Sequence, residues 1–332
     1  MKEYDRVDCV GVGTVYLRKS SDIYSLFHNP IIQTELSARL YTPMEEDKST
    51  NTIEPQKGAQ QNPIHWPKQA WTHFKLVRQK SPLIQCITNF VSMDLMANTL
   101  LSAGASPAMI HSVEEIPEFT PKALGVCINA GTLTPDWLPG MKLAAQVANQ
   151  SKKPWVLDPV AAGGSSFRLK ACLELLALKP SVVRGNGSEI LALFKGCVDS
   201  NSKGADSVHG SSDAVEAAKS LAQQSGSVVA ISGAVDYITD GDRVVCVHNG
   251  VPMLQKITAS GCSVTALIAA FVAVDPSHAV EATASALAIF GVASEVGMDM
   301  ARGPASLRTL LIDSLYGLDE ATALGRVRIN RL

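Results

Sequence analysis

The sequence predicts an α/β three-layer sandwich with a mostly parallel central sheet, and three observations carry that prediction. Short, continuously apolar, β-rich runs recur from residue 81 onward, amphipathic segments of helical length separate most of them, and the stretch after Cys262 is mostly helical to residue 318. Strands buried on both faces read as unbroken apolar runs. Parallel neighbours also need a crossover between them, usually a helix.

Residues 1–68 stand apart from this pattern. The apolar patch at 7–17 has the length of a hairpin, whereas the Gln/Asn/Pro/Lys-rich run 45–62 lacks the apolar residues to offset ordering entropy and reads as a flexible extension. Residues 69–332 form the predicted folded domain. Trp66-Pro67-Lys68-Gln69-Ala70-Trp71 opens a helix, with proline in its first turn. Strands are expected at 83–88, 108–110, 124–129, 155–160, 182–184 and 228–232, and helices at 93–102, 137–149, 169–178 and 213–224. Residues 237–239 and 243–248 flank Asp240-Gly241-Asp242, a hairpin signature that predicts an antiparallel edge.

Composition narrows the function classes. At 46% hydrophobic residues the chain can bury a large core, and a net charge of −2 without any Lys/Arg block argues against a nucleic-acid-binding face. No apolar run reaches transmembrane length, and Met1-Lys2-Glu3-Tyr4-Asp5 leads into no signal-peptide hydrophobic region, so no membrane partner is expected. The seven cysteines are scattered, with no CxxC and no histidine at ligand spacing. An odd, scattered set predicts free thiols and a cytoplasmic setting.

In parallel α/β sheets ligands bind beyond the carboxyl ends of the strands. Here those ends run into Asn89, into Ala130-Gly131-Thr132, into Asp158-Pro159, into Arg184-Gly185-Asn186-Gly187-Ser188-Glu189 and into Ser232-Gly233. Asp158 and Glu189, with no Cys/His set nearby, suit Mg²⁺. Arg184 offers a planar fork to a phosphate. Each feature also has a structural reading: Asp-Pro opens turns, Asn-Gly is a turn dipeptide, and glutamate favours a helix start. Gathered on one rim they favour phosphoryl transfer. Neither a Walker A pattern nor protein-kinase motifs are present, so phosphate binding falls to the small-residue run Thr258-Ala259-Ser260-Gly261-Cys262. Orphan N–H groups and the positive end of the following helix make that run an anion cradle. A thiol in that field is expected to have a lowered pKa, although a free cysteine there equally reads as a small core residue.

A series of runs then resembles the hydroxyethylthiazole kinases of the ribokinase-like superfamily. They are Ile87-Thr88-Asn89, Gly104-Ala105-Ser106-Pro107-Ala108-Met109, Asn129-Ala130-Gly131-Thr132-Leu133, Asp158-Pro159-Val160-Ala161-Ala162-Gly163, Arg184-Gly185-Asn186-Gly187-Ser188-Glu189-Ile190, Lys203-Gly204-Ala205-Asp206-Ser207 and Ser232-Gly233-Ala234-Val235-Asp236. They occur in order across roughly residues 70 to 320. The resemblance implies a ribokinase-like three-layer α/β/α sandwich and ATP-dependent phosphorylation of 4-methyl-5-(2-hydroxyethyl)thiazole in thiamine salvage. It also implies Mg²⁺ and a homotrimer with thiazole sites between subunits. It puts Asn89, Val91, Met109 and Ala259 on the thiazole side, Arg184, Ser232 and Gly261 on ATP, Asp158 and Glu189 at the metal, and Cys262 at the reacting hydroxyl.

One departure stands out. The family usually reads Thr-Gly-x-Gly-Cys at the cradle, whereas here Ala259 occupies the first glycine position. Alanine fits there without strain if its φ is negative. Three other functions remain compatible with these residues: a kinase of the hydroxymethylpyrimidine type, a thiazole- or nucleotide-binding protein without turnover, and a thiol-dependent enzyme using Cys262.

Overall fold

The computed structural model describes residues 5–9, 13–17, 64–198 and 210–332. The chain divides into two compact units, Met1–Asn62 and Pro63–Leu332. In the smaller unit β1 (Asp5–Cys9) pairs antiparallel with β2 (Gly13–Leu17), placing Val7 opposite Val15, which is the hairpin expected at 7–17. The run 45–62 and the motif Lys203-Gly204-Ala205-Asp206-Ser207 lie outside the described residues.

Nine strands build the larger unit: β3 (Leu83–Ile87), β4 (Ser106–Ala108), β5 (Gly125–Asn129), β6 (Trp155–Asp158), β7 (Val182–Asn186), β8 (Val228–Ser232), β9 (Asp236–Thr239), β10 (Val244–Val247) and β11 (Ile329–Arg331). Their order across the sheet is β11-β10-β9-β8-β7-β6-β5-β3-β4. The strands from β4 to β8 run parallel to one another, and β9, β10 and β11 continue antiparallel. The helices are α1 (Trp66–Lys80), α2 (Met93–Ser102), α3 (Ile116–Phe119), α4 (Trp137–Gln150), α5 (Ser166–Leu176) and α6 (Gly187–Lys195). They continue with α7 (Val215–Ser225), α8 (Ser260–Val274), α9 (Ala279–Met298), α10 (Pro304–Gly317) and α11 (Glu320–Arg326). This is the three-layer sandwich expected from the sequence.

Strand alternation divides the core between the two faces. Val126, Ile128, Leu157, Val183, Val229 and Ile231 pack toward α4, α5, α6 and α7, whereas Cys127, Val156, Val182, Val228 and Ala230 pack toward α1, α8 and α9. From Ser263 to the end of α8 every residue is buried, so this helix is apolar on all sides and lies inside the second layer.

Four details differ from the sequence expectation. The strand placed at 108–110 is Ser106–Ala108, because its pairing with β3 sets Leu83 opposite Ser106 and an edge strand tolerates Pro107. β7 runs on to Asn186, since Arg184, Gly185 and Asn186 pair with Ala230, Ile231 and Ser232. The hairpin at Asp240-Gly241-Asp242 is present, but its second strand is not the sheet edge: β11 covers β10, with Val247 opposite Ile329. One helical segment, Pro276–Met298, is long and apolar enough by length and composition to cross a membrane, contrary to the sequence reading, and 83% of its apolar window is buried inside the protein. Its Ala, Ser, Thr and Gly residues suit close helix packing rather than lipid.

Helix α1 is tied to this layer by a buried imidazole. His73 is fully buried, with Nδ1 2.8 Å from Ser285 Oγ and Nε2 3.1 Å from Asp275 Oδ2. Burial lowers its pKa from 6.5, against the opposing pull of Asp275. A group whose folded pKa is depressed contributes its full stability above its unfolded pKa and loses it as pH falls through the folded value. The melting temperature is therefore expected to fall as pH drops below about 6.5. His73→Gln is expected to flatten that slope, as differential scanning calorimetry between pH 4.5 and 8 would register.

Candidate active site

The carboxyl ends of β5, β6, β7 and β8 converge with the start of α8. At their centre is Asp158, the last residue of β6 and only 1% exposed. Its Oδ2 accepts a hydrogen bond from Asn129 Nδ2 at 2.8 Å and another from Thr265 Oγ1 at 2.8 Å, and Arg184 Nη1 lies 4.0 Å away. Oδ1 accepts none from the described residues. Burial raises the Asp158 pKa, while Arg184, Thr265 and Asn129 pull it back.

The chain of contacts continues from Asp158 toward Cys262. Asn129 Oδ1 accepts from Asn89 Nδ2 at 2.8 Å and from Gly131 N at 3.0 Å. Asn89 Nδ2 also lies 3.5 Å from Cys262 Sγ, and Asn89 Oδ1 accepts from Val91 N at 3.1 Å. Gly131 is required by close approach: a Cβ there would sit 2.6 Å from Asn89 Nδ2. On the other flank Arg184 Nε donates to Ser232 Oγ at 2.8 Å, and a Cβ on Gly261 would meet Arg184 Nη1 at 2.8 Å. Gly261 therefore leaves room for the guanidinium beside the helix start.

Glu189 joins the same region from α6. Its Oε1 accepts from Ala161 N and its Oε2 from Asn186 N, both at 2.7 Å, while its own N–H donates to Asn186 Oδ1 at 2.9 Å. The last two bonds form a capping box at the β7–α6 turn. Burial first and the Asp158 charge second push its pKa up to about 7, so the two carboxylates feel each other. Among the described residues no group of three or more His, Cys, Asp or Glu side chains forms a metal cage. Mg²⁺ does not need one, since it usually keeps waters and takes one or two carboxylates plus substrate phosphate. Two buried carboxylates with raised pKa values and an open oxygen on Asp158 fit that donor set.

The structure decides two points at the cradle. Ala259 has φ 66° and ψ 5°, the left-handed region, so the alanine sits where glycine is favoured. It also brings no side-chain cap, and the N–H groups of Gly261 and Cys262 have no hydrogen-bond partner among the described residues. The second point is a correction and concerns the thiol. The Cys262 pKa is pushed up to about 11, chiefly by burial and then by the Asp158 charge, against donors from Asn89 and Asn129 and the Arg184 charge. Burial and the Asp158 charge outweigh those donors and the Arg184 charge, which favours the protonated thiol at neutral pH.

Of the residues singled out in the sequence, Asn89, Asp158, Arg184, Ser232, Gly261 and Cys262 are joined by these short contacts, and Glu189 by its electrostatic coupling to Asp158. Val91 is tied to Asn89 through its N–H, with its side chain 59% exposed. Met109, just past β4, packs against the core layer and has no direct bond to the others. Three further residues emerge from the structure. Asn129 and Thr265 both hold Asp158, and Asp236 accepts from Gly233 N at 2.9 Å next to Ser232, with burial raising its pKa to about 6. Thr265 had a readable signal, as a hydroxyl three residues past Cys262 on the same face of an otherwise apolar helix.

Comparison with known proteins gives a consistent result. Residues 74–321 match the Hydroxyethylthiazole kinase family. The chain is 64% identical over 267 residues to a hydroxyethylthiazole kinase of Arabidopsis thaliana, covering 80% of this chain and 96% of that protein. It is 61% identical over 269 residues to one of Zea mays, covering 80% and 95%. Among solved structures, hydroxyethylthiazole kinase from Pyrococcus horikoshii OT3 superposes with a TM-score of 0.74 at 38% identity, covering 80% of this chain and 99% of that one. Pyridoxal kinase of Staphylococcus aureus shares the fold, with a TM-score of 0.53 at 17% identity over 76% and 98% of the two chains.

Two outcomes follow for the cradle. Replacing Ala259 by glycine relieves left-handed strain of about 1–2 kcal/mol and returns about 0.4–1 kcal/mol to the unfolded chain's entropy. Ala259→Gly is therefore expected to raise the melting temperature slightly, measured by scanning fluorimetry. Alkylation of Cys262 by iodoacetamide, followed on its peptide by mass spectrometry, is expected to accelerate roughly tenfold per pH unit without a plateau below pH 10. A plateau near pH 8 would mean an activated thiolate instead.

Proposed function

We infer, because this chain belongs to the Hydroxyethylthiazole kinase family, that it transfers the γ-phosphoryl group of ATP to the hydroxyl of 4-methyl-5-(2-hydroxyethyl)thiazole, a step of thiamine salvage. The observation that carries this reading is the 64% identity to a hydroxyethylthiazole kinase along 80% of the chain. The linked set Asn89, Asp158, Arg184 and Cys262 supports it chemically.

The transfer forms a bond from the substrate oxygen to the γ-phosphorus, breaks the bond to the β–γ bridging oxygen, and passes the hydroxyl proton to an oxygen of the transferring phosphoryl group. Its transition state is loose, so positioning and charge neutralisation do most of the work. Asn89, Val91, Met109 and Ala259 bind the thiazole alcohol. Arg184, Ser232 and Gly261 receive ATP, the guanidinium supplying a planar pair of donors and Ser232 orienting it. The free N–H groups of Gly261 and Cys262 face the charge that develops on the phosphoryl oxygens. Asp158 and Glu189 would hold Mg²⁺, which supplies neutralisation of phosphate charge. Cys262, protonated, positions the hydroxyl and does not act as a thiolate base.

Residues 69–332 carry the kinase, and 1–68 precede it as an extension; the compact unit beginning at Pro63 and helix α1 from Trp66 support a division a few residues earlier than 69. The assembly is a homotrimer with thiazole sites between subunits, a reading supported by Phe90 and Val91, 66% and 59% exposed beside Asn89. The protein works in the cytoplasm, consistent with six free cysteines among the described residues.

The direct test is ADP release with the thiazole alcohol, run beside hydroxymethylpyrimidine. Turnover with the thiazole alone is expected, and binding without ADP release would refute the reading. Cys262→Ser is expected to keep turnover within about tenfold, since hydroxyl and thiol both position by one hydrogen bond. Arg184→Ala removes charge-assisted hydrogen bonds and is expected to weaken ATP use by roughly 10- to 100-fold in kcat/KM.

A further inference from the structure

The motif Asn129-Ala130-Gly131-Thr132-Leu133 contributes none of the groups assigned above to substrate, nucleotide or metal, yet its first residue lies at the junction between the two halves of the site. Asn129 closes β5 and is fully buried. One of its amide hydrogens is donated to Asp158 Oδ2 at 2.8 Å and the same nitrogen also faces the Cys262 thiol, and an amide fixed at one end has no freedom at the other. The carbonyl end, Oδ1, is thereby presented to Asn89 Nδ2 at 2.8 Å and Gly131 N at 3.0 Å. That contact in turn decides which way the Asn89 amide points. With Nδ2 toward Asn129 and within 3.5 Å of Cys262 Sγ, its Oδ1 accepts Val91 N at 3.1 Å.

We propose that Asn129 is a positioning residue through which the phosphate-side carboxylate of Asp158 sets the orientation of Asn89 against Cys262 on the thiazole side. The direction of the relay follows from who else holds each member. Asp158 keeps a second donor, Thr265 at 2.8 Å, and the Arg184 charge at 4.0 Å, so it stays in place without Asn129. Among the described residues the Asn89 side-chain amide has no partner but Asn129, Val91 N and the weak sulfur contact, so it turns without Asn129. A carboxylate accepts only, so the sequence of donors is fixed: Asn129 must donate to Asp158, its oxygen must face Asn89, and Asn89 must present its NH₂. Gly131 completes the arrangement, since only a residue without Cβ admits Asn89 at this distance.

The proposal rests on the kinase reading for one of its readouts only. A double-mutant cycle with Asn89→Ala, Asn129→Ala and the pair, in the full chain, reads kcat/KM for the thiazole alcohol and, separately, the alkylation rate of Cys262 by iodoacetamide. Asn129→Ala is expected to lower kcat/KM on the order of tenfold while leaving KM for ATP within about twofold. In the Asn89→Ala background the same substitution is expected to leave kcat/KM unchanged and to alter the alkylation rate less than it does in the unaltered chain, the remainder being the direct contact of Asn129 with the thiol. Additive effects in both readouts, or a rise in the ATP KM matching the loss on the thiazole side, would overturn the proposal and leave Asn129 as a support for Asp158 alone. If Asn129→Ala does not fold, Asn129→Ser, which keeps a short polar group but cannot span both partners, replaces it in the cycle. Absence of ADP release by the unaltered chain would refute the kinase reading, and the thiol cycle would still decide the relay.

Discussion

The buried carboxylate of Asp158 is the constraint on which the rest of the site depends. It stands at the end of a central strand, where a charge has little water, and such a charge persists only when surrounding donors satisfy it. That support comes from three directions: hydrogen bonds from Asn129 on the neighbouring strand and Thr265 on the central apolar helix, and the Arg184 charge, 4.0 Å away, from the strand on the other side. Satisfying one oxygen therefore fixes the relative position of β5, β6, β7 and α8. The helix that brings Thr265 also brings Gly261 and Cys262, so the same bond that stabilises the carboxylate places the anion cradle.

Electrostatics then sorts the roles. Asp158, Glu189 and Asp236 all have raised pKa values from burial, which marks a site built to receive positive charge. Cys262 is raised as well, partly by Asp158, so the field that favours a cation disfavours a thiolate. The free N–H groups at the start of α8 supply the opposite preference a short distance away. A polyanion carrying its own cation satisfies both, which is why a nucleotide suits the rim better than either charge alone.

Much of this was legible in the sequence, and the parts that were not share a cause. Unbroken apolar runs made the strands readable, and the strand ends pointed to Asn89, Asp158, Arg184 and Ser232 without any structure. Asn129 read only as the end of a strand because its partners stand 40 and 29 residues away, and only the sheet order brings them together. The thiol of Cys262 misled because a helix start is visible in a sequence while burial and a neighbouring carboxylate are not. Ala259 stood out in the sequence as a departure at a glycine position, but only the entry into α8 shows that its φ lies in the left-handed region. Strand β11 is short and polar, and only its pairing with β10 makes it a strand.

The capping box at Glu189 has a wider meaning for how this site evolves. The same carboxylate closes the β7–α6 turn, anchors the Ala161 backbone and faces Asp158 across the rim. Natural selection therefore sees Glu189 through folding yield as well as through chemistry. A lineage that replaced this carboxylate would first have to rebuild the turn, because no shorter side chain reaches both backbone N–H groups at once. The acidic character of the rim is in this way locked in by its architecture.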